Sequence, residues 1–183
     1  MPTPRKPRRD RRAEIADAAL RVAARDGVVG ITHRAVADEA DITLGLTTYY
    51  FATITDLITL AMERGVADYA EVLEEWAVGL SAANVAEKLA ALLESKTTDR
   101  DRLRVEYELH FAAMRIDQLR PLATRCQDML PTVLAPFCGA STARHLDAAY
   151  RGYELDALLR DRPIPAAEVR PSFEHVVGAR TLA

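Results

Sequence analysis

The chain has 183 residues, with 24 basic and 27 acidic side chains and a net charge of −3. Only eight glycines, against an excess of Ala, Leu, Arg and Glu, point to an all-helical protein and away from a sheet protein. No apolar run reaches the roughly 18–20 residues of a membrane span, the basic N-terminus is not followed by the apolar core of a signal peptide, and Cys126 and Cys138 lack the number and spacing of a disulfide framework or zinc site, so a cytoplasmic protein without membrane, metal or cofactor is expected.

Charge is distributed unevenly. Residues 1–51 carry nine basic and seven acidic side chains, and residues 52–183 carry fifteen and twenty. Arg5, Lys6, Arg8, Arg9, Arg11 and Arg12 cluster in an arm whose first nine residues include three prolines, a composition expected to be disordered when free and suited to nucleic acid.

A helix is predicted over 10–25, with Ile15, Ala19 and Val22 on one stripe and Ala16, Leu20 and Ala23 beside it. Gly27 supplies the stop. Thr32 is a natural N-cap for a two-turn helix ending near Ala40, and Ile31 with Val36 forms a hydrophobic staple. Thr43 offers the next cap after the tight turn Asp41-Ile42. Two short helices so joined read as helix-turn-helix.

The following hexamer, Leu46 to Phe51, reads LTTYYF and looks β-like by propensity. Placed on a helix at about 100° per residue, it makes more sense. Thr47 and Phe51 pack inward, and Gly45, Thr48 and Tyr49 point outward, flanked by Leu44 on one side and by Leu46 and Tyr50 on the other. Methyl, hydroxyl and aromatic groups in that arrangement suit a helix entering a DNA major groove.

Thr53 and Asp56 form a capping-box variant that opens a long helix over 54–78, striped by Ile58, Met62, Gly65, Tyr69, Val72 and Trp76. Asn84 and Glu87 mark another start, with Val85, Leu89 and Leu92 inward. ESKTTDRD (94–101) reads as a polar loop. Thr98 and Asp101 then open a helix with Leu103, Tyr107, His110 and Met114 on one face. Pro121 opens the next, in which Leu122, Cys126, Met129 and Val133 point inward and Pro131 should kink or end it.

The final predicted helices span 141–161 and 165–179. The first has two nearly opposite apolar stripes, Ala148/Gly152/Leu155/Leu159 and Leu146/Tyr150/Tyr153/Ala157. A helix apolar on both sides must be covered on both, most economically by a second copy. Phe173, Val176 and Val177, with Val169, could complete such a dimer surface. The second stripe is assigned to it here.

Nothing marks an enzyme. His33, His110, His145 and His175 have no nucleophile partner, and phosphate-loop, dinucleotide and zinc signatures are absent from the sequence. Glu106 and His110 stand at i, i+4, which reads first as a hydrogen-bonded helix pair.

The stretch from Arg11 to Leu57 resembles the DNA-binding domain of the TetR/AcrR family of bacterial transcriptional regulators. The resemblance is carried by Gly27, Thr32, Ala37, Ile42-Thr43, Gly45, Tyr49-Tyr50-Phe51, Thr53 and Leu57. It implies a three-helix DNA-binding domain over 10–53 behind the arm at 1–9, and a ligand-binding and dimerisation bundle over 54–183, about nine helices in all. It implies Thr32 and His33 on phosphate, Arg34 on a base edge, and Thr43, Leu44, Gly45 and Leu46 in the groove. Thr48, Tyr49 and Tyr50 would meet backbone and thymine methyls, and Thr53 the next phosphate. The chain departs from the family pattern at Thr47 (usually Leu), Thr48 (often Tyr), Tyr50 (His) and Ile54 (Lys).

The resemblance also turns the inward Met62, Tyr69, Trp76, Tyr107, His110, Met114, Cys126 and Met129 into candidate lining for a mid-sized, largely apolar effector. The expected function is a ligand-responsive repressor that binds a palindromic double-stranded DNA operator as a homodimer. A ligand-independent DNA-binding regulator is the alternative.

Overall fold

The computed structural model describes residues 8–178, with side chains from residue 11 on. Among the described residues there are nine α-helices, two short 3₁₀ turns and no strand. The helices are α1 (Arg8–Asp26), α2 (His33–Glu39), α3 (Leu44–Tyr50), α4 (Ile54–Ala77), α5 (Val85–Thr98), α6 (Arg100–Ala113), α7 (Arg120–Cys138), α8 (Ala140–Arg160) and α9 (Ala166–Gly178). The all-helical expectation and the helix count are met. Most of the basic arm lies outside the described residues. Its last two positions, Arg8 and Arg9, begin α1.

The chain divides into two compact units. One comprises residues up to Ala67 together with Val105–Ala123, and the other Asp68–Arg104 together with the chain from Thr124 on. The division therefore falls inside α4 rather than at its start. The first unit gains the end of α6 because contacts far apart in sequence join it to the N-terminal helices. Glu108 on α6 accepts the backbone N–H of Val28 at 2.6 Å, and Arg64 on α4 reaches Asp17 on α1 at 2.8 Å.

In the first unit, Ile15, Ala16, Ala19, Val22 and Ala23 are buried as the α1 pattern requires, and so are the staple residues Ile31 and Val36. Thr32 caps α2, its Oγ1 accepting the N–H of Ala35 at 3.1 Å. Arg21 and Arg25 on α1 clamp Glu39 at the end of α2, at 2.6 and 2.7 Å. Those two guanidinium partners, Arg21 first, hold the Glu39 carboxyl below the usual carboxylate range.

In the second unit, α5 packs on α9 and α8. Val85, Leu89, Leu92 and Leu93 supply its buried face. The predicted polar loop at 94–101 is instead helix on both sides of a single residue, Asp99. Tertiary burial extends α5. Thr97 is buried, its hydroxyl donating to the Leu93 carbonyl at 2.8 Å and accepting the N–H of Ile164 at 3.1 Å. Asp99, not Thr98, caps α6, through the N–H of Arg102 at 3.2 Å.

Pro131 does not end α7, which also contains Pro136. A proline at 131 leaves the Gln127 carbonyl without its i+4 donor. Arg151 of α8 donates to that carbonyl at 3.3 Å. The buried face of α7 is Cys126, Leu130, Leu134 and Cys138, one register away from the predicted stripe. Val72 on α4 is likewise exposed, and Leu73 takes the interior position.

Candidate functional site

The first candidate surface is α2–turn–α3. The turn is tight because Asp41 adopts a left-handed conformation at φ 51°, which Asp tolerates better than most residues. α3 is seated by Thr47 and Phe51, both buried. The Thr47 hydroxyl lies 2.8 Å from the Leu44 carbonyl and 3.4 Å from the His33 carbonyl of α2. It faces both helices where the family pattern has an apolar Leu. The Arg12 guanidinium stacks 5.1 Å from the Phe51 ring centroid.

With that side buried, α3 turns Leu44, Gly45, Thr48 and Tyr49 to solvent. Tyr49 is 77% exposed. Its ring meets that of Tyr50 edge-on, with centroids 5.4 Å apart. A Cβ added at Gly45 would meet nothing within 4 Å, so the middle of this face is open. Leu46 and Tyr50 are half-buried at its margin, and Arg34 on α2 is exposed. His33 is half-buried, with its Nδ1 turned inside without a hydrogen-bond partner. Thr43 stands at the start of α3, exposed, but its side chain makes no capping bond. The expected Thr43 cap is therefore not formed.

The Thr53–Asp56 capping box is complete. The Thr53 N–H donates to Asp56 at 2.9 Å, and the Asp56 N–H donates to the Thr53 hydroxyl at 3.1 Å. The bonds from Thr53 hold the Asp56 carboxyl below its usual range.

The predicted effector lining is only partly assembled. Within the second unit, a groove of about 400 Å³ runs between α4 and α7. Leu73, Met129 and Val133 give it apolar walls, and Glu74, Arg125 and Asp128 give it charge. Met129 alone of the predicted residues lines it. Met114 is 71% exposed, past the end of α6, and is not an inward residue. Trp76 is engaged structurally, its indole N–H donating to the Lys88 carbonyl at 3.0 Å while the Lys88 ammonium returns to the Trp76 carbonyl at 2.6 Å. Met62, Tyr69 and Cys126 are buried. Tyr107 and His110 stack loosely in the first unit, and His110 Nδ1 binds the Glu106 backbone carbonyl at 2.7 Å rather than its carboxylate. Among the described residues no His, Cys, Asp and Glu group is placed to hold a metal ion.

The two stripes of α8 are resolved. Leu146, Tyr150 and Ala157 are fully buried within the chain, as is Phe173 on α9. Tyr153 packs edge-on against Phe173 and donates its hydroxyl to Ser172 at 2.9 Å. Leu146, Tyr150, Ala157 and Phe173 form the interior of the second unit, which corrects their assignment to a dimer surface, while Tyr153 is half-buried. Val176 and Val177 are half-buried. The stripe left to solvent is Ala148, Gly152, Leu155 and Leu159, with Leu159 78% exposed.

Sequence reasoning missed a charged cluster in the same unit. Asp147, Arg151 and Glu154 step by four and three along α8, the spacing of a single helix face, and that was the available signal. Glu154 is fully buried, and its carboxylate lies 2.7 Å from the Lys96 ammonium of α5. Arg151 binds Asp147 at 3.1 Å. Burial pushes the Asp147 carboxyl above the ordinary range despite that partner.

Residues 80–179 match the family described as tetracyclin repressor-like, C-terminal domain. No match is found among curated proteins. Among solved structures, the SCO1917 protein of Streptomyces coelicolor A3, a TetR-family member, is 37% identical over 93% of this chain and 98% of that one, with a TM-score of 0.81. The multidrug binding protein EbrR in complex with imidazole is 36% identical over 93% of this chain and 96% of that one, with a TM-score of 0.81. Its complex with proflavin gives 35% identity over 91% and 99%, with a TM-score of 0.73. Among the described residues no helix is long and apolar enough to cross a membrane. The chain belongs to the TetR family of transcriptional regulators.

Proposed function

We propose that the protein is a ligand-responsive repressor that binds a palindromic operator as a homodimer and leaves it when a small, largely apolar effector binds. The observation that carries the DNA half is the outward face of α3. Tyr49 is largely exposed beside Thr48, Leu44 and an unobstructed Gly45, an uneconomical surface for water but a good one for thymine methyls and phosphate. Arg34, exposed on α2, supplies a donor fork for a guanine edge. The exposed Ala148/Gly152/Leu155/Leu159 stripe supports two-fold pairing through α8, its small residues allowing close helix approach. Two recognition helices would then enter successive major grooves, roughly 34–36 Å apart.

The effector half rests on the α4–α7 groove, whose apolar walls and two carboxylates, Glu74 and Asp128, set against one guanidinium, Arg125, fit a planar aromatic carrying positive charge. EbrR, found with proflavin, makes that class a reasonable first choice. Because α4 begins directly after the recognition helix, an effector that favours a different α4 position would change the spacing of the two heads. It must bind the DNA-incompetent form more tightly to do so.

The test is anisotropy of a labelled duplex, selected from random DNA by the protein itself, with and without proflavin. Binding of two chains per duplex, reversed by proflavin, is the expected result. Failure to select any duplex overturns the regulator reading, and a complex indifferent to proflavin overturns the effector class.

A further inference from the structure

We propose that Lys96 occupies a cation seat built by Tyr69, Tyr150 and Glu154, and that a cationic aromatic effector competes with its ammonium for that seat. The proposal deepens the ligand-responsive reading and rests on it for the identity of the competitor.

Three groups that favour a cation converge on one nitrogen. The Lys96 Nζ lies 4.4 Å from the Tyr69 ring centroid, 5.9 Å from that of Tyr150 and 2.7 Å from a Glu154 carboxylate oxygen. Tyr69 stands on α4, Tyr150 and Glu154 on α8, and Lys96 reaches them from α5. Aromatic faces at such distances attract ammonium and planar organic cations alike. A buried carboxylate such as Glu154 stays ionised only with a cation beside it, and its chemistry does not require that the cation be a lysine.

The lysine is also the removable member. Its charge rides on a flexible four-carbon stem, so the head can swing away while α5 stays packed. Tyr150 and Glu154 are fixed in the α8 interior. Lys96 itself retains some exposure, its side chain being 16% accessible, so the displaced head has water to enter.

The seat and the groove share α4, where Tyr69 precedes Ala70 of the groove wall. Arg151, paired with Asp147 on the same α8 face as Glu154, reaches the Gln127 carbonyl, next to Asp128 in the groove wall. One oxygen of Asp147 is buried without a hydrogen-bond partner, spare acceptor capacity between groove and seat. Groove and α8 face together hold four carboxylates, Glu74, Asp128, Asp147 and Glu154, against the guanidinium groups of Arg125 and Arg151, a balance that favours a cation once the Lys96 head has left. An uncharged ring system gains nothing from them.

The experiment uses the full chain without DNA and two probes that share a tricyclic frame, cationic proflavin and acridine, which is uncharged under mildly alkaline conditions. Removing the internal competitor with Lys96→Met should tighten proflavin binding roughly tenfold, the size of a desolvated cation–aromatic contact, and leave acridine unchanged. Proflavin should also restore the melting temperature that this variant loses. The paired variant Lys96→Met/Glu154→Gln carries no buried charge at the seat. It should fold and bind proflavin about a hundredfold more weakly than Lys96→Met, and so about tenfold more weakly than wild type.

Equal tightening for acridine shows that the substitution only made room, and overturns the proposal. So does a gain that survives in the paired variant. Should Lys96→Met not fold, the paired variant decides against wild type: weaker proflavin binding with unchanged acridine binding supports the seat, and unchanged proflavin binding refutes it. Proflavin bound through the seat without release of operator DNA counts against the repressor reading alone. Release that is equally efficient in wild type and paired variant counts against the seat alone.

Discussion

Glu108 Oε2 accepts the backbone N–H of Val28 at 2.6 Å, joining positions 80 residues apart in one unit. The contact sits where the chain leaves α1 for the helix-turn-helix pair α2 and α3. Gly27 beside it has φ 75°, and a Cβ there would stand 2.9 Å from the same carboxylate oxygen. Glycine is favoured here by its backbone angle, and any Cβ would have to push the Glu108 carboxylate off the Val28 N–H. Gly27→Ala is therefore expected to cost more than the roughly 1 kcal/mol of the left-handed conformation alone. Glu108→Ala should cost about 1–2 kcal/mol by leaving the N–H without its charged acceptor. Urea unfolding of both variants checks this, and because they disturb one contact their effects should not add in the double variant.

Thr47 fills a core position with a hydroxyl whose nearest acceptor is the Leu44 carbonyl, one turn back in its own helix. Thr47→Val preserves the shape and strands no acceptor, because Leu44 also keeps its place in the helix ladder. A change below about 1 kcal/mol is expected. Thr47→Leu inserts a longer side chain beneath α2 and should destabilise by about 1–3 kcal/mol. Thermal melting that ranks Leu above Val would show that the site is underfilled.

Glu39 and Asp56 both titrate below the ordinary range, held by Arg21 with Arg25 and by Thr53 respectively. A depressed carboxyl stabilises the folded chain above its unfolded value of about 4 and loses that contribution as pH falls through its folded value. Stability should therefore be flat near neutrality and decline on the acid side. Glu39→Gln and Asp56→Asn should shift the neutral urea midpoint downward and make the acid decline shallower. An unchanged slope below about pH 4 in both variants would count against these contacts.

On the DNA face, Arg34→Ala is expected to weaken operator binding by about 1–3 kcal/mol and relax discrimination at one base pair. Tyr49→Ala should weaken binding without altering the fold, since that side chain is mostly in solvent. Wild-type affinity in both variants at physiological salt would remove α2 and α3 from the interface. Anisotropy titrations against matched and single-substituted duplexes provide the readout.

Leu159→Glu places a charge at the C-terminal end of the exposed α8 stripe, on its most exposed residue, and should shift the chain towards monomer, with operator affinity falling in step. Sedimentation of wild type and variant over a range of concentrations measures it. Leu146→Glu, by contrast, buries a charge inside the chain and should prevent folding.

Local rules carried the first unit. The Thr32 cap, the Ile31–Val36 staple and the Thr53–Asp56 box act within a few residues, and each appears in the structure as the spacing implies. The face of α3 followed from the burial of Thr47 and Phe51. The second unit was harder to read because its determinants are non-local. Thr97 looked like loop until the Ile164 N–H gave it a partner, and Pro131 looked like a stop until Arg151 came to the carbonyl it leaves open. Both stripes of α8 were visible, yet only packing chooses which is interior. Lys96 and Glu154 were invisible as a pair because burial of charge is read from neighbours, not from spacing.

The Thr97–Ile164 bond has a further consequence for the order in which this protein matures. The two residues are 67 positions apart, and α5 packs on α9, which follows later still. As the chain leaves the ribosome, the buried face of α5, with Leu89 and Leu93, lacks its full cover until α9 has emerged. The first unit has its helix-turn-helix long before that, and is completed once residues 105–123 have appeared. Synthesis should thus pass through a stage with a formed N-terminal head and a sticky, unfinished bundle, the stage most dependent on chaperones.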